Sequence, residues 1–259
     1  MNVNTLVVDR LRAAGCVFAE DEADLLIAEA RTPAELEAMV ERRAGGMPLE
    51  YVLGWAEFRG LRVVVAPGVF VPRARTEFMV EEAVRLAPSG ATTVVVDLCC
   101  GSGAIGLALA GELGRVDLFA ADLDPEAVRC ARVNLSGRGQ VVDGDLFEPL
   151  PETLRGRVDI LTANVPYVPT AEIELMPREA RLYEPRLSLD GGDDGLNVVR
   201  RVASAAPSWL APGGHLLVES SVAQAPAVAA IFAASGLSAR TVRSEELDAT
   251  VVTGTRPAR

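Results

Sequence analysis

With 259 residues and 49% apolar side chains, the chain is long enough for one large or two small domains and too apolar to stay disordered. Its formal net charge is −11 and all 25 basic residues are arginine, which disfavours a general binder of phosphate backbones while leaving room for one local basic patch. The longest apolar runs are broken by charge or glycine and are too short to cross a membrane.

The opening stretch MNVNTLVVDRLRAAG has no basic start followed by an apolar core, so no secretion signal is read and a cytoplasmic location is expected. It shows helical spacing that stops at Gly15. DEADLLIAEA and TPAELEAMVERRAGG follow, the latter starting at Thr32-Pro33 with Glu35 and stopping at Gly45-Gly46. Residues 1–47 are therefore predicted to form a small helical cap. Residues 48–75 change character. AEFRGLRVVVAPGVFVP alternates β-branched residues and reads as a hairpin linker turning at Ala66-Pro67-Gly68. RTEFMVEEAVRLA returns to helical period.

Residues 76–259 form the main domain of this reading, in which strands and helices alternate from residue 91 onward. TTVVVDL leads to AIGLALAGELG, VDLFAAD to PEAVRCARVNL, and a short strand near 140–142 precedes RVDILTAN. A helix near 195–209, the strand HLLVESS, a helix at 223–235 and two final strands, LSARTVRS and ATVVTGTR, complete the chain. The pattern predicts an α/β fold with a doubly wound, mostly parallel sheet and a terminal antiparallel hairpin. Cys16, Cys99, Cys100 and Cys130 fit neither a disulfide framework nor a zinc site, and no metal is expected. His215, the single histidine, reads as a strand-start residue without a catalytic partner.

The first sheet strand runs into DLCCGSGAIG. In an open α/β sheet this turn lies at the switch point where ligands bind. Gly101 and Gly103 allow close backbone approach, although a glycine pair alone also fits a plain tight turn. Asp122 ends the second strand, 19 residues after Gly103, where a carboxylate can accept both hydroxyls of a ribose. DGDLF follows the third strand. Asp143 or Asp145 there can reach an adenine amino group or can be a simple turn residue. The run Gly-Ser-Gly-Ala-Ile-Gly formally matches a dinucleotide fingerprint, but Asp97 stands six residues before Gly103. That acid suits the ammonium of a methionine and not a pyrophosphate. Together with the antiparallel end of the sheet, it points to S-adenosylmethionine.

LTANVPYVPT places Asn-Val-Pro-Tyr directly after an apolar strand. NVPY resembles the Asn-Pro-Pro-Tyr motif of class I methyltransferases that modify planar nitrogens. PLEYVLGWAEFRGLRVVVAPGVFVPRARTEFMVE, YEPRLSLDGGDDGLNVVRRV and LAPGGHLLVESS resemble three stretches of the HemK/PrmC family, the protein-(glutamine-N5) methyltransferases of translation release factors. The similarity spans roughly residues 45–255.

That resemblance implies a class I S-adenosylmethionine-dependent methyltransferase fold, with S-adenosylhomocysteine as product. It implies a protein partner, a peptide chain release factor methylated in its Gly-Gly-Gln loop. By the same resemblance, Asn164, Pro166 and Tyr167 carry the reaction. Asn164 Oδ1 and the Val165 carbonyl would accept the two amide N–H groups, and Tyr167 would stack on the flat amide. Cofactor contacts map to Cys99, Cys100, Gly101, Ser102, Gly103, Asp122, Asp145, Leu146 and Asn164, beside the Asp97 read above. Arg73, Thr76 and Glu77 match a PRPETE patch in part and would border the site, Arg73 on the substrate side. The chain departs from the family in three places: Val165 replaces the first Pro, PRARTE replaces PRPETE, and Cys99-Cys100 replaces Gly-Thr. Only the carbonyl is required at position 165, so methyl transfer is expected to survive. These departures and a cap shorter than usual leave alternative acceptors open: another protein, a small molecule or a nucleic-acid base.

Overall fold

The computed structural model describes residues 2–258. Its first three helices are α1 (Val3–Ala13), α2 (Ala19–Glu29) and α3 (Pro33–Ala44), followed by a short α4 (Leu49–Leu53). The start of α3 is fixed by chemistry visible in the sequence. Thr32 Oγ1 accepts the Glu35 N–H at 3.1 Å, Pro33 occupies the first turn, and Glu35 reaches back to the Arg31 N–H at 2.9 Å. The helices share one apolar cluster around Leu11, Leu26, Met39, Val40 and Val52. Each fully buried Leu there contributes about 1.5–3 kcal/mol relative to exposure.

The hairpin pairs β1 (Trp55–Phe58) with β2 (Leu61–Val64), and its turn is Arg59-Gly60, not Ala66-Pro67-Gly68. Both turn residues have positive φ, 49° and 70°, the geometry that suits right-twisted strands. Arginine is a poor choice for that conformation by itself. Here its N–H donates to Glu77 at 3.0 Å, and its guanidinium pairs with Glu81 and Glu112. Those partners lie 18 to 53 residues away in sequence, which is why the turn was not legible locally. Ala66–Gly68 forms a later bend, closed by Val69 N–H to the Ala66 carbonyl at 3.0 Å.

A single 3-10 turn (Ala74–Thr76) leads into α5 (Glu77–Leu86). The alternating half then follows as β3 (Thr93–Leu98), α6 (Ala104–Glu112), β4 (Val116–Asp122), α7 (Pro125–Asn134), β5 (Gln140–Asp143) and β6 (Val158–Ala163). After a long excursion containing α8 (Arg178–Tyr183) come α9 (Asn197–Trp209), β7 (Leu210–Glu219), α10 (Ala225–Ala234), β8 (Ser238–Ser244) and β9 (Ala249–Thr255). The strands lie in the order β5-β4-β3-β6-β7-β9-β8, parallel from β5 to β7 and antiparallel at β9 and β8. Side chains of β3 alternate between two cores. Val94, Val96 and Leu98 join Trp209 and Phe232 in one, while Val95 joins Met79 and Leu109 in the other.

β7 begins earlier than expected, at Leu210, with a register shift against β6. His215 is therefore inside the strand, its Nδ1 2.9 Å from Thr255 Oγ1. The order in which strands are added reverses at β3, so the turns leaving the parallel neighbours β3 and β6 open side by side at the carboxyl edge. Among the described residues, no helix is long and apolar enough to cross a membrane.

Candidate active site

A cleft of about 180 Å³ opens at that edge. One wall is the turn after β3, where Cys99, Cys100, Gly101 and Ser102 all face the cleft. Cys99 takes φ 52°, a left-handed conformation that glycine adopts without strain. Gly103 hinges the turn into α6 at φ 80°, and a Cβ there would stand 3.2 Å from Leu135 and 3.3 Å from Ala131. Burial pushes the Cys99 and Cys100 thiols up, so both are held as neutral thiols. Asn134, at the end of α7, ties this turn to the hairpin. Its Nδ2 donates to the Ser102 carbonyl at 2.8 Å and the Val64 carbonyl at 2.9 Å, and its Oδ1 accepts the Val64 N–H.

Two acids flank the turn in different ways. Asp122 faces the cleft while accepting the Gly101 N–H at 2.8 Å and the Asp124 N–H at 2.9 Å. Burial raises its pKa against the pull of those two N–H groups. Each of its oxygens retains a lone pair for a ligand. Asp97 does not face the cleft. It is fully buried, with Oδ1 accepting from Thr162 at 2.8 Å and Oδ2 from the Gly106 N–H at 3.1 Å. The sequence places Asp97 against a methionine ammonium; the structure sets it behind the cleft wall, bound to the first turn of α6 and a β6 threonine. Burial pushes its pKa up to about 7.

Beyond β5, Asp145 and Leu146 line the cleft, Leu146 at φ 52°. Arg201 of α9 reaches over to pair with Asp145 at 2.7 Å. The residues present fit a nucleoside cofactor. Asp122 is an acceptor aimed into the cleft, Ile105, Leu123 and Leu146 provide apolar surface for a flat ring, and the buried Ser102 Oγ has no partner among the described residues.

Asn164, Val165 and Pro166 line the cleft beside the glycine turn. They are fixed by the excursion that returns through residues 189–195. The Val168 N–H donates to the Leu189 carbonyl at 3.0 Å, and the Gly191 N–H to the Val168 carbonyl at 2.9 Å. Gly195 packs so closely that a Cβ would stand 2.2 Å from the Tyr167 carbonyl oxygen. Tyr167 itself does not line the cleft. Its hydroxyl meets Arg75 and lies 3.4 Å from Glu219, and burial raises the phenol to about 12. Arg73 does not line the cleft itself: it pairs with the buried Glu184 and stands over the ring of Phe70, a cleft residue, at 4.9 Å. Of the PRARTE residues, Pro72 and Thr76 line the cleft, whereas Glu77 is spent on the Arg59 turn. Sequence reasoning missed Arg75, Asn134, Arg201 and Glu219. Only Glu219 had a local signal, an acid ending an otherwise apolar strand.

Comparison with known proteins narrows what this edge belongs to. The family described as Methyltransferase small domain matches residues 60–179. A release factor glutamine methyltransferase from Geobacter sulfurreducens is 44% identical, covering 79% of this chain and 72% of that protein. The chain belongs to the HemK/PrmC family of release factor glutamine methyltransferases. A family member from Bifidobacterium longum is 36% identical over 89% of this chain and 90% of its own length. A 4-amino-L-phenylalanine/4-methylamino-L-phenylalanine methyltransferase from Streptomyces pristinaespiralis is also 36% identical, over 87% and 78%. The fold is that of class I methyltransferases: a methyltransferase from Pyrococcus furiosus superposes with a TM-score of 0.58 at 15% identity, over 77% of this chain and 91% of that one. As a HemK/PrmC protein the chain is an S-adenosylmethionine-dependent methyltransferase.

Proposed function

We propose that this HemK/PrmC protein transfers a methyl group from S-adenosylmethionine to the side-chain amide nitrogen (N5) of a glutamine in the Gly-Gly-Gln loop of a peptide chain release factor, in the cytoplasm. The observation that carries the reading is the placement of Asn164, Val165 and Pro166 on the cleft wall, beside the glycine turn and across the switch point from Asp122. When bound, the cofactor supplies a methyl group already activated on a sulfonium. Cys99 to Gly103, Asp122, Asp145 and Leu146 would hold it.

The amide nitrogen is a weak nucleophile because its lone pair is shared with the carbonyl. Catalysis here is mainly positioning. Asn164 Oδ1 and the Val165 carbonyl would accept the two N–H groups of the glutamine. Both acceptors bind more strongly as positive charge builds on nitrogen, so they favour the transition state over the ground state. Pro166 stiffens the turn that presents them, with Tyr167 next in the chain. The methylated nitrogen is acidic enough to lose its proton to water, so no histidine is needed. Val165 retains the one group position 165 must supply, its carbonyl. Arg73, bound to Glu184, is not assigned a contact with substrate.

Peptide mass spectrometry on a release factor incubated with the protein and S-adenosylmethionine tests this reading. A one-methylene mass gain on the Gly-Gly-Gln glutamine, absent with Asn164→Ala, is the expected result. A second reading, methylation of a small aromatic amine, is favoured by the high coverage of the Streptomyces pristinaespiralis relative. Methyl transfer to an arylamine with the release factor left unmodified would replace the first reading with the second.

A further inference from the structure

Residues 219–224, from the end of β7 to the start of α10, hold Tyr167 at both ends. Gln224 Nε2 donates to the Tyr167 carbonyl at 2.9 Å and to the Asp194 carbonyl at 3.1 Å. At the other end, Glu219 Oε1 lies 3.4 Å from the Tyr167 hydroxyl. Glu219 is 3% exposed and also accepts from Arg75 Nε at 2.9 Å and from Thr76 Oγ1 at 2.7 Å. Arg75 donates in turn to the phenol oxygen and stands over the ring, its Cζ 6.0 Å from the centroid. The free end of Tyr167 is thus enclosed by a carboxylate and a guanidinium, with a threonine hydroxyl on the carboxylate's second oxygen.

A buried carboxylate is costly to desolvate, and one with three donors around it fixes those donors in turn. A tyrosine has two free torsions beyond its backbone. Anchoring its carbonyl and its hydroxyl together leaves the ring a single orientation behind Pro166. Glu219 does not line the cleft; its contacts with the site run through the neighbours it holds.

We propose that Glu219 is a positioning residue for methyl transfer, acting through the Tyr167 hydroxyl to fix the ring that follows the Asn164–Pro166 turn. The inference rests on the reading of that turn as the acceptor site. A carboxylate that only neutralises Arg75 would affect stability, and its loss would add independently to any change at Tyr167.

A double-mutant cycle separates the two roles. Glu219→Gln, Tyr167→Phe and the double variant are assayed for kcat, KM for the release factor, and cofactor affinity, with melting temperature recorded for each. Glu219→Gln is expected to lower kcat roughly tenfold, the scale of a small misplacement of reacting groups, with cofactor affinity unchanged. The double variant is expected to be no slower than the slower single. Independent, multiplicative losses overturn the proposal, as does an unchanged kcat in Glu219→Gln.

An ultraviolet titration of tyrosinate supplies a readout that needs no substrate, with Tyr167 assigned by its absence in Tyr167→Phe. Burial and the Glu219 charge hold the phenol at about 12, against the opposing pull of Arg75 and Arg73. Glu219→Gln should lower that value, and no change rejects the contact. A wild-type protein that methylates no glutamine but shows the shift retracts the functional reading while keeping the Glu219–Tyr167 contact.

Discussion

At Asn164 the whole chemical argument depends on one oxygen and one neighbouring carbonyl. Removing a positioned acceptor of developing charge costs about 10²–10³ in rate, so Asn164→Ala should lose kcat on that scale while the fold persists. A methyl-transfer assay beside a thermal melt measures both. Asp122 works differently, because it holds the glycine turn through Gly101 and the next helix through Asp124 while facing the cleft. Asp122→Asn turns one acceptor into a donor set against an N–H. Cofactor affinity should fall about 10–100-fold, the range for losing a hydrogen bond to a charged group, and calorimetric titration reads it. Arg73 and Arg75 show how little spacing alone decides. The two arginines are two residues apart, yet one pairs with Glu184 and the other reaches Tyr167 and Glu219.

Among elements, the 189–195 loop is the one that turns a strand exit into a rigid site. It lies against Val168 and Thr170 through backbone hydrogen bonds and leaves no room at Gly195. A Cβ there would meet the Tyr167 carbonyl oxygen at 2.2 Å, at a φ of 76° that side chains resist. Gly195→Ala should therefore destabilise the fold by about 1–3 kcal/mol, as misfit substitutions do, and should lower kcat more than cofactor affinity. Denaturant melts and steady-state kinetics check the two parts. The helix and strand boundaries of the alternating half were mostly legible, because strand exits carry their own punctuation, Asp124-Pro125 opening α7 and Gly103 before α6; the Pro-Gly-Gly before His215 misled, because β7 already runs through it. The hairpin turn was not. Arg59 tolerates its left-handed backbone only because Glu77, Glu81 and Glu112 converge on it.

Across the whole molecule, Asp97 links the core to pH. Its pKa rises from the ordinary carboxylate range to about 7, with burial as the first cause and the Thr162 and Gly106 hydrogen bonds opposing. A carboxyl raised in this way binds its proton more tightly folded than unfolded. Stability is therefore favoured below the unfolded pKa and declines as pH rises from the unfolded value toward about 7. Asp97→Asn, which can donate to Thr162 as a protonated acid would, should flatten that decline. Melting temperatures of both proteins across the window give the comparison. Equal slopes would show that Asp97 does not titrate there.

The sequence by itself determined the alternation of strands and helices, the nucleoside signature in the turn after β3 with Asp122 beyond it, and the NVPY exit with its family resemblance. Those features are local: period, punctuation and short spacing act within one element or between chain neighbours. The tertiary structure decided what the acids and arginines face. It buried Asp97 against Thr162, turned Arg73 to Glu184, brought Asn134 to the glycine turn, and gathered Arg75, Thr76, Glu219 and Gln224 around Tyr167. Charged and polar side chains reach partners set by strand order and loop return, here up to 144 residues along the chain. No local pattern encodes such a pairing until the sheet has placed β6 beside β7.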